Sequence, residues 1–300
     1  MRAPWCDIPG SEAWQAVTRL AEGYSDDEVY LVQFPRGERV LRLSPASAQA
    51  RKRAEFEAIA RVRALGVLGS EPIALGVCDG GARVYQLLSF VPGEKIEHAL
   101  PGLPEQTQYR LGLAAGRSLA RIHSLPAPPD PPDWEARFNA KIDRKIALHR
   151  DSGVHYPGQD RYLDYLNRNR SLLKGRPQCF QHGDYHCGNL ILTPEGQVGV
   201  IDYNRLDYGD PWEEFNRIVW CAQVSPAFAS GRIDGYFDGP PPELFFQLMA
   251  LYIASNQMAS VAWAVPLGQD QVDIMLAQNQ FVLDGYRGFE TVVPTWYHGA

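Results

Sequence analysis

The chain changes character once, at Val91-Pro92-Gly93, and this change limits the folds that it can adopt. Before it, short runs of β-branched and alternating apolar residues are separated by glycine-containing turns, a pattern typical of strands. These runs cover residues 29–34, 39–43, 73–78 and 83–90. After it, apolar residues recur every three or four positions, which indicates helices. The sequence therefore predicts an α+β fold, with a small antiparallel-sheet lobe followed by a larger, mainly helical lobe.

We place the domain boundary at this change, with a first domain at residues 1–91 and a second at residues 92–300. In the first domain, Ser44-Pro45 resembles an N-cap followed by the first helical residue and predicts that a single helix begins there. In the second, the predicted helices cover residues 109–125, 134–149, 161–173 and most of the chain after residue 210. A short strand-rich island interrupts them, with predicted strands at residues 179–181, 190–192 and 198–201.

The composition is that of an ordinary globular protein, with 45% hydrophobic and 21% charged residues and a net charge of −6. It excludes a disordered chain and argues against nonspecific nucleic-acid binding, which needs a basic surface. The charge is unevenly distributed: residues 180–300 contain fourteen acidic and four basic side chains, and residues 1–179 carry a net charge of +4. This asymmetry favours a cationic ligand for the second half.

Other features concern compartment and membrane contact. The five cysteines form no C-x-x-C pair, so the sequence predicts neither a disulfide framework nor a thiolate zinc site. The start of the chain lacks the apolar segment of a signal peptide. The apolar stretch at residues 244–265 is interrupted by amide and hydroxyl side chains, which favours a buried helix over a membrane span. We expect a cytoplasmic protein without membrane partners.

Polar residues are concentrated in the strand-rich island. Residues 182–189 read HGDYHCGN, and Asp202 follows Asn189 by thirteen residues in the sequence VIDY. A His-x-Asp step with an asparagine five residues after the aspartate is the pattern of the catalytic loop in protein kinases. In phosphoryl transfer, one carboxylate accepts the hydroxyl proton while an asparagine and a second aspartate hold magnesium. The spacing therefore indicates phosphoryl transfer.

These motifs, together with GDPWEE at residues 209–214, resemble the aminoglycoside phosphotransferase and choline kinase-like superfamily. The resemblance implies a two-lobed, protein-kinase-like fold that uses ATP and Mg²⁺ to phosphorylate a small molecule. It implies that Asp184 is the catalytic base, that His182 orders the catalytic loop, and that Asn189 and Asp202 are the magnesium ligands.

The same resemblance suggests nucleotide-binding residues in the first lobe. Residues 22–28 would be the loop that covers the nucleotide. Arg42 stands where the family usually has a lysine that holds the α- and β-phosphates, and an arginine fork can also bind phosphate. Its helix partner would be Glu55, with Glu57 as the second candidate. The hinge that meets the adenine would consist of Ser89, Phe90 and Val91.

The acceptor is expected to bind the helical half, where acidic and aromatic residues accumulate. The candidate substrate residues are Tyr203, Asp207, Glu213 and Glu214. Carboxylates and aromatic rings suit amines, so a hydroxylated, amine-bearing compound is the favoured acceptor, such as an aminoglycoside or another antibiotic. The alternatives are a choline, sugar or homoserine-type metabolite kinase, or a nucleotide-binding pseudokinase that acts as an interaction module.

The sequence also leaves other interpretations open for some of these residues. His182, Asp184 and His186 could form a hydrolytic metal site, because imidazole and carboxylate groups bind zinc or iron. Cys187 could be a nucleophile, although the spacing implies no partner base. Asp210 has a local explanation: Asp-Pro-x-Glu has the elements of an N-terminal capping box closed by Glu213.

Overall fold

A computed structural model of the protein describes residues 3–20 and 27–299. The described chain forms two compact units. The first contains the residues up to Glu94 together with Ile191–Asn204. The second contains Lys95–Leu190 and the residues from Arg205 onward.

An antiparallel five-stranded sheet forms most of the first unit. In the described residues the strands are β1 Ala16–Arg19, β2 Glu28–Phe34, β3 Gly37–Pro45, β4 Pro72–Cys78, β5 Arg83–Ser89, β6 Glu94–Lys95, β7 Cys179–Gln181, β8 Leu190–Leu192, β9 Val198–Val200 and β10 Asp207–Gly209. The large sheet has the order β1-β2-β3-β5-β4. One helix, α1 (Gln49–Ala64), lies between β3 and β4 in the chain. The predicted antiparallel sheet with one helix is confirmed, and β1 was not predicted.

Strand β3 positions one of the candidate site residues. Leu41 and Leu43 are completely buried in a hydrophobic cluster with Val32 of β2. Because successive side chains of a strand point to opposite faces, Arg42 projects away from this cluster. Its guanidinium reaches Glu55 on α1, so the alternation of the strand fixes the direction of the charged group.

The predicted start of α1 is wrong. Ser44 and Pro45 are the last residues of β3, and a 3-10 turn at Ala46–Ala48 precedes the helix. The Ser44 hydroxyl does not cap a helix but donates a hydrogen bond of 2.6 Å to Asp27. The propensity of serine for N-caps is overridden here by pairing within the sheet, where Ser44 lies opposite Val84.

The first unit also contains a segment that the sequence analysis assigned to the second domain. Strands β8 and β9 belong to a three-stranded sheet of order β6-β8-β9. The amide of Val200 donates to the carbonyl of Leu68, and Gly69 forms a β-bridge with Val200. These hydrogen bonds join residues more than a hundred positions apart, which periodicity along the chain does not reveal.

Helices make up most of the second unit. In the described residues they are α2 Ile96–Ala99, α3 Glu105–Ile122, α4 Trp134–Ser152, α5 Gln159–Asn169, α6 Ile218–Val224, α7 Pro226–Phe237, α8 Glu243–Ala264 and α9 Gln269–Gly285.

Helices α3 and α7 pack backbone to backbone. At each of four glycines a Cβ atom would lie 2.2 Å from a carbonyl oxygen of the facing helix, and these are Gly112, Gly116, Gly231 and Gly235. Larger side chains would force the two helices apart.

Helix α8 lies in the core of the second unit. With the turn that follows it, this helix is long and apolar enough to cross a membrane, and it is the only such helix in the described part of the chain. However, 78% of its apolar window is buried within the protein. The interruptions also fit burial, because Ser255 and Gln257 are completely enclosed and Gln257 donates a hydrogen bond to Gln278 of α9.

Candidate active site

The polar island forms a tight loop in the second unit. It starts after β7, and a 3-10 turn at Cys187–Asn189 leads into β8. Gly183 has a φ of +84°, and a Cβ atom there would lie 1.8 Å from the carbonyl oxygen of Arg205. Only glycine fits both the left-handed backbone and this close approach. The loop therefore has a fixed path past Arg205.

Two arginines and a histidine surround the Asp184 carboxylate. Arg217 Nε lies 3.2 Å from Oδ1, Arg205 Nε lies 3.6 Å from Oδ2, and His186 Nε2 lies 3.7 Å from Oδ1. Burial by itself would raise the pKa of Asp184, but His186, Arg217 and Arg205 together hold this pKa well below its usual range. Asp184 is therefore a carboxylate at neutral pH. The two arginines were not predicted, because nothing in their spacing links them to the motif.

A second buried carboxylate holds the backbone of the loop. Glu214 accepts hydrogen bonds from the amides of Gly183 (3.1 Å) and Tyr185 (3.3 Å), and His123 Nε2 lies 3.7 Å from it. Burial opposes ionisation of Glu214, yet His123, His182 and the Gly183 amide lower its pKa. Glu214 is only 2% exposed, so it positions the loop from behind. The prediction that Glu214 contacts a substrate therefore does not agree with its burial behind the loop.

Asn189 and His186 close the other end of the loop. Asn189 Nδ2 donates to the carbonyl oxygen of Asp184 at 2.9 Å, and the Asn189 amide donates to the carbonyl of His186. His186 Nδ1 accepts from the amide of Gly188 at 3.1 Å. His182 is completely buried, and its Nδ1 accepts from the amide of Asp184 at 3.3 Å. Asp184 and Asn189 are thus fixed to each other by the loop itself.

The first unit contains a second cluster of charges, which Arg42 connects. Its Nη2 atom lies 2.9 Å from Asp202 Oδ1, and its Nη1 atom lies 3.4 Å from Glu55 Oε1. Burial by itself would lower the pKa of Arg42, but Asp202, Glu55 and Asp27 raise it. Glu55 is buried whereas Glu57 is exposed, so Glu55 is the glutamate of α1 that meets Arg42.

Lys52 belongs to the same cluster and was missed. It is completely buried, forms an ion pair with Asp27, and donates to Glu55 Oε2 at 2.8 Å. The cluster thus contains three carboxylates, from Asp27, Glu55 and Asp202, and the two cations Arg42 and Lys52, and the exposed Arg51 lies 4.0 Å from Asp27. Lys52 precedes Glu55 by three positions on α1, a spacing at which helical side chains meet. The same spacing is common on exposed helix surfaces, so sequence alone does not select this pair.

Asp202 occupies an unusual backbone conformation. Its φ is +68°, in the left-handed region that non-glycine residues rarely adopt. Such conformations cost about 1–3 kcal/mol and are concentrated at functional sites. Asp202 belongs to the first unit, in the segment after β9.

The remaining nucleotide-binding candidates lie at the edge of the first unit. Ser89 ends β5, its amide donates to the Glu71 carbonyl, and its hydroxyl accepts from the Glu71 amide. The Ser89 amide is therefore engaged within the unit, and the hinge of Ser89, Phe90 and Val91 stays a prediction. Of the predicted covering loop, residues 22–26 lie outside the described residues. Asp27 joins the ionic cluster, and Glu28 begins β2 and forms an ion pair with Arg83.

The other acidic and aromatic substrate candidates have partners of their own. Asp207 forms an ion pair with Arg137, and Glu213 forms one with Lys141 at 2.9 Å. Tyr203 is 3% exposed. Asp207 and Glu213 are therefore already paired with cations of the protein.

Asp210 acts as a structural residue, as its local sequence predicted. Its side chain accepts from the amide of Trp212 at 3.0 Å and thereby caps the 3-10 helix Pro211–Arg217. The capping box is not closed, because the Glu213 side chain bonds to Lys141 instead. The Asp210 carboxylate also accepts hydrogen bonds from Nε and Nη2 of Arg176 and from the hydroxyl group of Tyr252.

The structure also tests two of the competing interpretations. Among residues 3–20 and 27–299, no group of three or more His, Cys, Asp or Glu side chains is arranged to hold a metal ion, which argues against a hydrolytic site at His182, Asp184 and His186. Cys187 is 1% exposed. The neighbouring Cys221 and burial hold the pKa of the Cys187 thiol far above its usual range. Cys187 is therefore a buried thiol and a poor nucleophile.

Comparison with known proteins adds to this geometry. The model of the phosphotransferase enzyme family matches residues 16–246, whereas no curated protein matches the chain. One similar solved structure is a choline/ethanolamine kinase family protein from Mesorhizobium loti (TM-score 0.67, 16% identity, 95% of this chain and 94% of that chain covered). Another is a thermostable mutant of aminoglycoside phosphotransferase APH(4)-Ia in a ternary complex with AMP-PNP and hygromycin B (TM-score 0.69, 16% identity, 94% and 97% covered). At these identities the likeness concerns the fold, which is kinase-like.

Proposed function

The chain belongs to the phosphotransferase enzyme family, and from this premise we propose that it transfers the γ-phosphate of ATP to a hydroxyl group of a small molecule. One observation carries the proposal. Asp184 is ionised, lies on a loop whose backbone Glu214 and Asn189 hold in place, and is surrounded by positive charge. A carboxylate in this setting suits the phosphoryl-transfer base of kinase-like enzymes.

In this proposal Asp184 orients the acceptor hydroxyl and takes its proton as the new O–P bond forms and the bond between the γ-phosphorus and the departing ADP breaks. The low pKa of Asp184 makes it a weak base, so it accepts the proton late, when the hydroxyl oxygen is already bonding to phosphorus. Most of the rate then comes from positioning and from neutralising charge. Arg205 and Arg217 keep the carboxylate ionised and fix its orientation.

The residues present fit a magnesium ion. Carboxylate and amide oxygens are the ligands that Mg²⁺ prefers. Asp202 supplies a carboxylate in a strained backbone conformation, next to the carboxylates of Asp27 and Glu55 in the cluster around Arg42. Asn189 uses its amide nitrogen within the loop, which leaves its amide oxygen for a ligand. When bound, magnesium would neutralise the phosphate charges, and Asn189 and Asp202 would hold it.

We assign the binding of the α- and β-phosphates to Arg42, the position at which the family usually has a lysine. Glu55 and Lys52 keep this arginine in place from α1. The acceptor class is open within the proposal and includes aminoglycosides such as hygromycin B, other antibiotics, and choline, sugar or homoserine-type metabolites. An alcohol oxygen as the acceptor atom is common to all of them.

The test is ADP release coupled to a spectrophotometric assay, with Mg-ATP and a panel of hydroxylated amines, sugars, polyols and hydroxy acids. We expect acceptor-dependent ADP release by the wild-type protein and its loss in Asp184→Asn. Asp164→Asn is the matched control, because Asp164 is an exposed residue of α5. Equal turnover by wild type and Asp184→Asn would contradict the assignment.

The pseudokinase alternative gives a different result in the same experiment. A nucleotide-binding interaction module would show a thermal shift with Mg-ATP but no ADP release with any compound of the panel. The ionised Asp184 and the strained Asp202 favour an active enzyme over such a module.

A further inference from the structure

Helix α4 presents three cations on one face. Arg137, Lys141 and Lys145 follow one another at intervals of four residues, a spacing at which helical side chains are neighbours. Like charges at this spacing destabilise a helix unless other groups compensate them. The row of three is visible in the sequence, but its partners are visible only in the structure.

Two of the three cations are compensated by carboxylates. Arg137 forms an ion pair with Asp207 and also donates to the carbonyl of Tyr208. Lys141 Nζ lies 2.9 Å from Glu213 Oε1. These pairs use the two acidic residues that the sequence suggested as ligands for a cationic substrate.

Lys145 differs from its two neighbours. Its Nζ atom donates to Asn256 Oδ1 of α8 over a long 3.4 Å, and no ion pair joins it to a carboxylate within the described part of the chain. Burial, together with the nearby Lys141 and Arg217, lowers its pKa to about 7, and Glu213 acts in the opposite direction. Lys145 thus lies near two further cations, and the carboxylate that offsets them, Glu213, already pairs with Lys141.

This excess of positive charge extends to Asp184. Arg217 is close enough to Lys145 to affect its pKa, and Arg217 Nε lies 3.2 Å from the Asp184 carboxylate. Beside Asp184 and Glu213 lie the three cations Lys141, Arg205 and Arg217, and Lys145 adds a further, partly protonated amine. A cationic acceptor would be repelled from such a site, and an anionic one would be attracted.

We propose that the acceptor carries an anionic group, a carboxylate or a phosphate or sulfate ester, which Lys145 and Arg217 bind while its hydroxyl meets Asp184. This inference rests on the proposed function and specifies its substrate class. Because Arg217 contacts both the anion and the catalytic carboxylate, it sets the distance between the anionic group and the reacting hydroxyl. Arg217 and Lys145 are therefore specificity-determining residues.

Binding of a simple anion tests the site without turnover. Inorganic sulfate is the probe, because it stays fully ionised over the pH range used, and calorimetric titrations are compared with sodium chloride at equal ionic strength. We expect Lys145→Met to weaken sulfate binding at least tenfold. Arg144→Met, which removes an exposed cation from the same helix, leaves the affinity unchanged. Equal sulfate affinity in wild type and Lys145→Met would overturn the proposal.

The pH dependence of sulfate binding gives a second readout. The groups that face Lys145 are Lys141 on its own helix, Glu213 and Arg217 on the 3-10 helix, and Asn256 on α8. A bound anion favours the charged form of Lys145, so the affinity falls as the pH rises above about 7. We expect this fall in wild type and its absence in Lys145→Met. An identical pH profile in both proteins would count against the site.

Kinetics with matched acceptors then separate this proposal from the proposed function. We expect gluconate to be phosphorylated at least tenfold more efficiently than sorbitol, and Lys145→Met to raise the KM for gluconate while the KM for ATP stays constant. Turnover that favours sorbitol or hygromycin B would overturn the anionic acceptor but leave the kinase assignment intact. A rise in the KM for ATP instead would show that Lys145 serves the nucleotide, and would also overturn the proposal.

Discussion

The two charge clusters of the molecule are built in opposite ways. In the first unit, Asp27, Glu55 and Asp202 outnumber the two enclosed cations, Arg42 and Lys52, while a third cation, Arg51, is exposed and lies 4.0 Å from Asp27. In the second unit, Asp184 and Glu213 are outnumbered by the three cations that pair with them, Lys141, Arg205 and Arg217, and Lys145 adds a further, partly protonated amine. A surplus of carboxylate suits a metal ion, and a surplus of cations suits an anion. The two clusters thus indicate ligands of opposite charge.

Together with the anionic acceptor proposed above, this difference stands against the cationic acceptor predicted from the sequence. The split into +4 and −10 treats residues 1–179 and 180–300 as separate bodies. The second unit in fact combines Lys95–Leu190 with the residues from Arg205 onward, and contains eighteen basic and twenty-one acidic residues. The basic helix α4 therefore lies in the same unit as the acidic C-terminal segment. Local pairing, not the total charge of a segment, decides what the site attracts.

The largest effect should follow from removal of the central carboxylate of the second cluster. We expect Asp184→Asn to reduce kcat about a thousandfold, because a general base contributes about 10²–10⁴ in rate. The affinity for Mg-ATP, measured by the thermal shift, should change little. A variant that retains more than a tenth of the wild-type kcat would show that the cations around Asp184 serve another purpose.

The second-largest effect should follow from the loss of Glu214, the buried carboxylate that holds the backbone of the loop. We expect Glu214→Gln to lower the free energy of unfolding by about 3 kcal/mol, since it leaves His123 and two loop amides without their buried carboxylate. Chemical denaturation measures this loss, and kcat should fall with it. The control is Glu57→Gln, which removes an exposed carboxylate of α1. Equal stability of the two variants would contradict the role given to Glu214.

A moderate effect should follow when Arg42 of the first cluster is replaced by a side chain of the same charge but different geometry. Arg42 reaches Asp202 and Glu55 with different nitrogen atoms, which one lysine ammonium group cannot do in the same way. We expect Arg42→Lys to raise the KM for ATP about tenfold, or ~1.4 kcal/mol, with the acceptor KM unchanged. Steady-state kinetics with either substrate varied provide the measurement. A variant with the wild-type KM for ATP would mean that the fork geometry is dispensable.

The smallest effect concerns stability and tests the excess charge of the second cluster. The pKa of Lys145 is about 7 in the folded protein, while an unfolded lysine has a pKa of about 10.4. Between these values the unfolded chain binds more protons, so this group makes the free energy of unfolding increase with pH. Lys145→Met lacks this contribution. It should be more stable than wild type at pH 6.5, by a margin that shrinks at pH 9.5.

Thermal unfolding at the two pH values, with Arg144→Met as the control, measures this margin. A margin that is the same at both pH values, or that grows with pH, would show that Lys145 is not forced toward its neutral form. The excess of positive charge in the second unit would then be smaller than the contacts indicate.

Local patterns predicted much of the fold. Alternating runs gave strands β2 to β5, because a sheet with one buried face imposes a period of two. The helices α3, α4, α5 and α8 were predicted from apolar spacing, with errors at their ends. Strands β1, β6 and β10 are short and largely polar, so they carry no periodic signal. The placement of residues 191–204 in the first unit depends on pairing over long sequence distances, which no local pattern encodes.

The parts of the site that form a known sequence motif could be predicted. The motif from His182 to Asn189 forms one loop because its glycine turn and its hydrogen bonds are local. The Arg42–Glu55 pair was expected from the family resemblance, and the structure brings these two side chains to 3.4 Å. Arg205, Arg217 and Lys145 were missed, since single arginines and lysines are common on exposed surfaces. Their role depends on whether a carboxylate lies beside them, and only the structure shows this.

Phosphorus NMR follows the transferred phosphate itself and separates phosphorylation of an acceptor from hydrolysis of ATP. The protein is mixed with Mg-ATP, gluconate, sorbitol and hygromycin B at equal concentrations, and the phosphorus spectrum is followed over time. We expect a new phosphomonoester signal that grows as ADP appears, arises mainly from gluconate, and is absent with Asp184→Asn. Release of inorganic phosphate alone, or the same phosphomonoester signal with Asp184→Asn, would contradict this expectation.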